Sequence, residues 1–211
     1  MTRHTTRLRE LIGAPEILVA PGAYDGTGAR LAQELGFRAI YLSGFQTSAS
    51  VLGRPDVGYL TLTQMVARVA AFAEAVDLPL IADADTGYGN PLNVRRAVRE
   101  YEAAGAAAMH IEDQTFPKRC GHMLGRHVIA EEDMIQKIRA AVDARRDPDF
   151  TFEAILDDAI ALGGTVTGEH GVGLLKKRGM HAELGEDVLA LHRAIKSALD
   201  PAGILNPGKV I

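Results

Sequence analysis

Three acidic residues have the types and the spacing expected of a divalent-cation site. Asp83 and Asp85 are separated by one residue in the segment DADTGYGN, so in an extended chain their carboxylates point to the same side. Glu112 follows the next apolar run at the equivalent position. Neighbouring carboxylates raise one another's pKa, and a hard cation with oxygen ligands, Mg²⁺ or Mn²⁺, relieves that repulsion. The alternative is that these acids only cap turns and helix starts.

The single cysteine of the chain is the second group that could do chemistry. Cys120 follows Lys118 and Arg119 and precedes Gly121 and His122 in the segment KRCGH. Neighbouring cations favour the thiolate, so the pattern predicts an exposed, reactive thiol that can donate or accept a proton. The alternative is a small buried apolar side chain, which is the usual state of a lone cysteine.

Alternating apolar runs and helical patterns must position these groups. Four predicted strands lie in EILVAPGAY, FRAIYLSG, LPLIADADTGYG and AAAMHIED, and a helical pattern follows each of them. This repeat implies parallel strands joined by right-handed crossovers. The polar residues fall where strands end, as they do in a barrel, and no G-x-G-x-x-G follows the first strand. The sequence therefore predicts an α/β fold, the first half of a (β/α)8 barrel, ahead of a doubly wound sheet.

The pattern changes close to Phe150. In TFEAILDDAIALGG, Phe152, Ile155 and Ile160 fall on one helical face. We therefore expect a helix from Thr151 to Gly163 where a fifth strand would otherwise follow, and weak hydrogen-exchange protection over the glycine-rich stretch 165–179. This predicts a partial barrel over 1–150 and a mostly helical α+β appendage over 151–211.

Composition excludes several classes of partner. The 211 residues are 47% hydrophobic, enough for a core, while a net charge of −4 and 5% aromatic residues argue against a nucleic-acid partner. No apolar run approaches the length of a membrane span or of a signal-peptide core. A lone cysteine excludes an internal disulfide and favours a reducing cytoplasm. The strand edges of half a barrel favour a homo-oligomer or self-association.

Five motifs together resemble the isocitrate lyase and phosphoenolpyruvate mutase superfamily over about residues 5–150. They are YLSG, RPDVGYLT, DADTGYGN, HIEDQ and KRCGH. The resemblance implies a Mg²⁺-dependent carbon–carbon lyase that acts on a 2-hydroxy or 2-oxo dicarboxylate, as methylisocitrate lyase or oxaloacetate decarboxylase does. Phe45 and Gln46 differ from the small residues that the family has after its Ser-Gly pair, which leaves the substrate open.

The same resemblance implies a role for each matching residue. Cys120 would be the acid that protonates the enolate-like product. The metal site would comprise Asp56, Asp83, Asp85 and Glu112, and substrate would be bound by Ser43, Gly44, Lys118, Arg119, Gly121 and His122. The family's later strands, with an arginine and a glutamate for the substrate, have no counterpart here, so we expect turnover near background.

The C-terminal segment of the chain resembles a different family. TGEHGVG and LDPAGILNPGKV are similar to the C-terminal end of FAD-linked oxidases of the glycolate oxidase and D-lactate dehydrogenase type. That likeness implies a substrate and metal role for Glu169 and His170, which equally suit a solvated loop. FAD is a cofactor only under this alternative. Three hypotheses remain at this point: a lyase completed by oligomerisation, a flavin oxidase relative, and an inactive fusion joined near Phe150.

Overall fold

The computed structural model describes residues 2–120, 123, 127–154 and, further along, positions 186, 189, 190, 193, 194, 196 and 197. The chain divides into two compact units, Met1–Ile155 and Leu156–Ile211. The fold and the site described below belong to the first unit.

Helices connect successive parallel strands through the first unit, with two helices between the second and third strands. The strands are β1 (Gly22–Ala23), β2 (Ile40–Leu42), β3 (Leu80–Asp83), β4 (Ala108–Ile111) and β5 (Thr151–Ala154). The helices are α1 (His4–Ile12), α2 (Gly26–Glu34), α3 (Gly44–Leu52), α4 (Leu62–Ala75), α5 (Pro91–Ala104) and α6 (Glu131–Ala144). The strands form one sheet in the order β1-β2-β3-β4-β5, each parallel to its neighbour. The predicted α/β fold, with strand neighbours in chain order as in a barrel, is confirmed.

Local sequence signals set the ends of helix α5. The Asn90 side chain accepts hydrogen bonds from the backbone amides of Leu92 (2.9 Å) and Asn93 (3.3 Å), and Pro91 occupies the first turn. Gly105 ends the helix at φ +100°, a left-handed conformation that glycine adopts without steric cost. Asn90, Pro91 and Gly105 are local signals, so both ends of this helix follow from the sequence at those positions.

The two faces of the sheet have different partners. Ile40, Leu80 and Met109 belong to the main core, together with side chains of the crossover helices such as Phe72 and Val98. The other face carries a smaller cluster of Leu8 from α1 with Ala39, Ala107 and Ala108, against which Ile81 packs. Because successive strand residues point to opposite faces, Asp83 and His110, two residues beyond Ile81 and Ala108, lie on this second face.

The structure corrects the prediction of a helix beginning at Thr151. Thr151–Ala154 form β5, in which Thr151 pairs with Ala108 of β4 and its amide donates to the carbonyl of Ala107 (3.3 Å). Phe150 is fully buried, and Phe152 packs against the main core. Two aromatic side chains at a spacing of two suit a strand, and the edge of β4 supplies the backbone partners that a helix would not use. Residues 155–163 and 165–179 lie outside the described part of the chain.

Along the stretches described above, no helix combines the length and the apolar character that crossing a bilayer requires.

Candidate active site

The acidic residues meet at the carboxyl ends of β2, β3 and β4. Asp83 Oδ1 accepts a hydrogen bond from the amide of Asp85 (2.8 Å), and Asp83 Oδ2 accepts one from the amide of Gly44 (3.1 Å). The amide of Glu112 donates to the carbonyl of Asp85 (2.7 Å). These bonds join the ends of three neighbouring strands, so the structure brings together the acids that the sequence analysis selected.

Gly44 bonds directly to Asp83, and Ser43 begins the helix that carries this glycine. Ser43 is the N-cap of α3, and its Oγ accepts a hydrogen bond from the amide of Gln46 (3.2 Å). A Cβ atom on Gly44 would lie 2.6 Å from Asp83 Oδ2, closer than any real side chain can approach. The glycine is therefore required for its amide to reach the carboxylate.

Lys118 occupies the centre of the acidic cluster. Its Nζ atom lies 2.7 Å from Asp56 Oδ2 and 2.6 Å from Asp85 Oδ1, and the residue is 2% exposed. Across residues 2–120 and 127–154, no three acidic, histidine or cysteine side chains stand together as metal ligands. Of the three acids predicted to hold a metal, Asp85 is paired with the ammonium of Lys118, and the metal role of Asp83, Asp85 and Glu112 stays a prediction.

Burial sets the electrostatics of this cluster. It raises the pKa of Asp85 to about 7, with the charge of Asp83 adding to the effect, and it raises the pKa of Glu112 to about 7. Burial also raises the pKa of Asp56, against the opposing influence of Lys118. Burial alone would lower the pKa of Lys118, but the surrounding carboxylates outweigh it and hold that pKa above its usual value.

The balance of charge fits a hard divalent cation. Four carboxyl groups surround one ammonium, so full ionisation leaves the cluster strongly negative. All four are oxygen donors, the ligand type that Mg²⁺ and Mn²⁺ prefer. On this donor chemistry Asp83, Asp85, Glu112 and Asp56 remain suitable residues for a metal.

Cys120 is buried, which corrects the prediction of an exposed thiol. It is 7% exposed, and its amide donates to the carbonyl of Asp56 (2.9 Å). The Gln114 side chain braces the same loop: Nε2 donates to the carbonyl of Arg119 (3.0 Å), and Oε1 accepts from the amide of Arg119 (3.0 Å). Gln114 Nε2 also donates to Glu112 Oε2 (2.7 Å), so Gln114 links this loop to the acidic cluster.

Four of the predicted site residues cannot be placed. Gly121 and His122 follow Cys120 directly, and Glu169 and His170 belong to the C-terminal unit. All four lie outside the residues that the structure describes.

The sequence analysis missed His110, which the structure places beside Asp83. The two residues are paired in register, and His110 Nδ1 lies 2.8 Å from the Tyr41 hydroxyl oxygen. His110 Nε2 is buried and has no hydrogen-bond partner among the described residues. Its position two residues before Glu112, in the predicted strand AAAMHIED, was the available signal, because residues at that spacing in an extended chain share a face. A ligand oxygen on this face could be bound by Nε2.

Parallel strands joined by helices, with polar groups gathered at the strands' carboxyl ends, define the architecture of (β/α)8-barrel enzymes. The chain belongs to the phosphoenolpyruvate phosphomutase family, whose model matches residues 8–169. A second match, to the FAD linked oxidases, C-terminal domain, covers residues 134–210. Both resemblances seen in the sequence are confirmed, and the overlapping part of the second match includes most of α6 and all of β5.

Similar proteins include lyases and a phosphonate hydrolase. The 2,3-dimethylmalate lyase of Eubacterium barkeri is 48% identical over 183 residues, which are 87% of this chain and 61% of that protein. The 2-methylisocitrate lyase of Aeropyrum pernix is 51% identical over 140 residues, 66% of this chain and 45% of that one. A phosphonopyruvate hydrolase solved with oxalate and Mg++ is 35% identical with a TM-score of 0.68, and the match covers 86% of this chain and 59% of that one. The chain thus spans 45% to 61% of the length of these proteins.

Proposed function

We propose that this chain carries the metal-binding and dicarboxylate-binding part of a Mg²⁺-dependent carbon–carbon lyase. The substrate class is a 2-hydroxy or 2-oxo dicarboxylate, as the names of the dimethylmalate and methylisocitrate lyases suggest. The observation that carries the proposal is the excess of buried carboxyl groups over ammonium groups at the strand ends, with the pKa of both Asp85 and Glu112 raised to about 7. The hydrolase structure with oxalate and Mg++ supports the choice of cation and ligand.

In this proposal Asp83, Asp85 and Glu112 hold the cation, with Asp56 in support. When bound, the cation would stabilise negative charge on the substrate oxygens as the carbon–carbon bond breaks. Lys118 supplies a further positive charge beside that position, and its ammonium already contacts Asp56 and Asp85. Preorganised charges in a buried site act more strongly than the same charges in water.

Two further groups would act on the substrate itself. His110 Nε2 is a buried hydrogen-bonding atom on the face that carries Asp83, so it would orient a substrate oxygen. Cys120 would protonate the enolate-like product: the S–H bond breaks, the enolate electron pair forms a C–H bond, and a thiolate remains. The covered position of the thiol keeps bulk water from delivering that proton instead.

Thermal unfolding in the presence of Mg²⁺ and oxalate tests the proposal. A ligand that binds only the folded chain raises its melting temperature, by mass action, even without turnover. We expect Mg²⁺ to raise the midpoint, oxalate to raise it further, and Asp85→Asn to abolish both effects. Asp143→Asn removes an exposed acid on α6 and serves as the matched control. Equal midpoints with and without Mg²⁺ would reject the metal site.

Cleavage itself is tested with 2,3-dimethylmalate and 2-methylisocitrate as substrates. The expected signature is Mg²⁺-dependent release of a 2-oxo acid that Cys120→Ser abolishes. Flavin absorbance in the purified protein, without Mg²⁺-dependent stabilisation, would instead favour the oxidase alternative.

A further inference from the structure

Lys137 is a buried lysine that the proposed chemistry does not use. It lies on α6, is 7% exposed, and its Nζ atom donates to the carbonyl oxygen of Thr86 (3.0 Å). Burial lowers the pKa of Lys137, with Asp133 opposing the effect. Burying an ammonium has a free-energy cost that an apolar side chain of similar length would not carry, so the site requires its hydrogen bond.

The carbonyl that Lys137 binds belongs to the segment that carries the two central acids. Thr86 directly follows Asp85, whose φ of +49° lies in the left-handed region that residues with a Cβ rarely adopt. Such a conformation persists only where the surrounding contacts hold it. The Asp85 carboxylate therefore depends for its direction on bonds made by the backbone around it.

Each of the four carbonyls from Asp83 to Thr86 accepts a hydrogen bond, three of them from donors outside this segment. Asp83 accepts from the Tyr101 hydroxyl of α5 (2.8 Å), and Asp85 accepts from the amide of Glu112 beyond β4 (2.7 Å). Ala84 accepts from the amide of Gly87 (2.8 Å). Lys137 supplies the fourth of these bonds, the contribution of α6, at the residue that follows the strained position. Hydrogen bonds from charged donors are stronger than those between neutral groups.

We infer that Lys137 is a positioning residue: its hydrogen bond to the Thr86 carbonyl holds Asp85 in the conformation that directs its carboxylate into the acidic cluster. The consequence for cation binding rests on the proposed function, whereas the consequence for the conformation of the segment does not. A separate measurement tests each of these consequences.

Hydrogen exchange of single amides tests the conformational consequence. In Lys137→Met, which keeps the length of the side chain but lacks the donor, we expect the amides of Glu112 and Gly87 to exchange about tenfold faster. The amide of Ala107, which donates to Leu80 in the middle of the sheet (2.8 Å), should keep its rate. The control is Arg139→Met, which also replaces a cationic side chain by methionine but at an exposed position of α6. Unchanged exchange at Glu112 and Gly87 would overturn the inference, as would an equal acceleration at Ala107, which would indicate only a less stable fold.

Titration with Mn²⁺, followed by its electron paramagnetic resonance signal, tests the consequence for cation binding. We expect Lys137→Met to weaken Mn²⁺ binding by about tenfold and Lys137→Arg, which keeps a cationic donor, to restore most of that affinity.

If the wild-type chain does not bind Mn²⁺, the proposed function fails, while the exchange experiment still decides the role of Lys137. If Lys137→Met does not fold, Lys137→Gln replaces it, because its shorter side chain cannot span the same distance. Mn²⁺ affinity equal to wild type in a folded variant would contradict the positioning role.

Discussion

Lys118 Nζ lies 2.6 Å from Asp85 Oδ1 although the two residues are 2% and 8% exposed. A second carboxylate, Asp56, accepts from the same ammonium at 2.7 Å. The loop that carries Lys118 and Cys120 is therefore fixed to the acidic cluster by charge as well as by backbone hydrogen bonds.

Removing the ammonium should destabilise the protein strongly. Lys118→Met would leave two buried carboxylates without their cation, and breaking one side of a buried ion pair costs about 3–5 kcal/mol. Urea unfolding at neutral pH measures the loss. Arg96→Met, which breaks the exposed pair with Glu100 (2.6 Å), is the control and should cost about 0–1 kcal/mol. A loss for Lys118→Met no larger than this control would show that the pair contributes little.

The stability of the metal-free protein should fall as pH rises from about 4 to about 7. The pKa of Asp85 and that of Glu112 are raised by burial to about 7 in the folded chain, from ordinary values of 3.8 and 4.5. The folded chain therefore binds more protons than the unfolded chain within this window, and the free energy of unfolding decreases as pH increases. A tenfold difference in proton affinity between the folded and unfolded chains corresponds to about 1.4 kcal/mol, so the trend should be readily measured.

The pH dependence of the free energy of unfolding is measured by urea denaturation between pH 4 and pH 8. Asp85→Asn and Glu112→Gln should each flatten it, because the neutral amide has no proton to lose. Saturating Mg²⁺ should also flatten it, since a cation stabilises the ionised carboxylates of the folded chain. A wild-type stability that rises steadily across this range would contradict the raised pKa values.

Alkylation of Cys120 should be slow in the folded protein. The thiol is 7% exposed, and the amide of the same residue is bonded to Asp56, so iodoacetamide reaches the sulfur only when the loop opens. Mass spectrometry over time should show little modification under native conditions and rapid modification in urea. Equal rates in the two conditions would mean that the loop does not cover the thiol.

Phe150 should be essential to the stability of the first unit. Its side chain is fully buried in the main core, so Phe150→Ala should cost about 3–5 kcal/mol. Phe116→Ala, at a position that is 68% exposed, provides the control and should change stability by less than about 0.5 kcal/mol. A small effect at Phe150 would mean that β5 and the residue before it are not integrated with the sheet.

Local patterns in the sequence determined the parallel strands, the limits of α5 and the acids at the strand ends. Asn90, Pro91 and Gly105 act within one helix, and the alternation that places Asp83 on one face acts within one strand. Parallel strands then bring their carboxyl ends to one edge, so the meeting of Asp83, Asp85 and Glu112 follows from connection rules alone. The helix limits and the strand alternation depend on neighbours only a few residues apart, and the general rule for connecting parallel strands supplies the rest.

Tertiary structure decided the burial of Cys120, the position of Lys118 and the extended conformation of Thr151. Lys118 meets Asp56 across 62 residues of sequence, and Cys120 in the same loop is buried although its neighbours in sequence predict exposure. Thr151 and Phe152 are extended because the edge of β4 offers backbone partners, although the spacing of apolar residues after them also suits a helix. The physical reason is the same in both places: the contact that gives the stabilisation lies on a distant segment, and local periodicity carries no information about which segments meet.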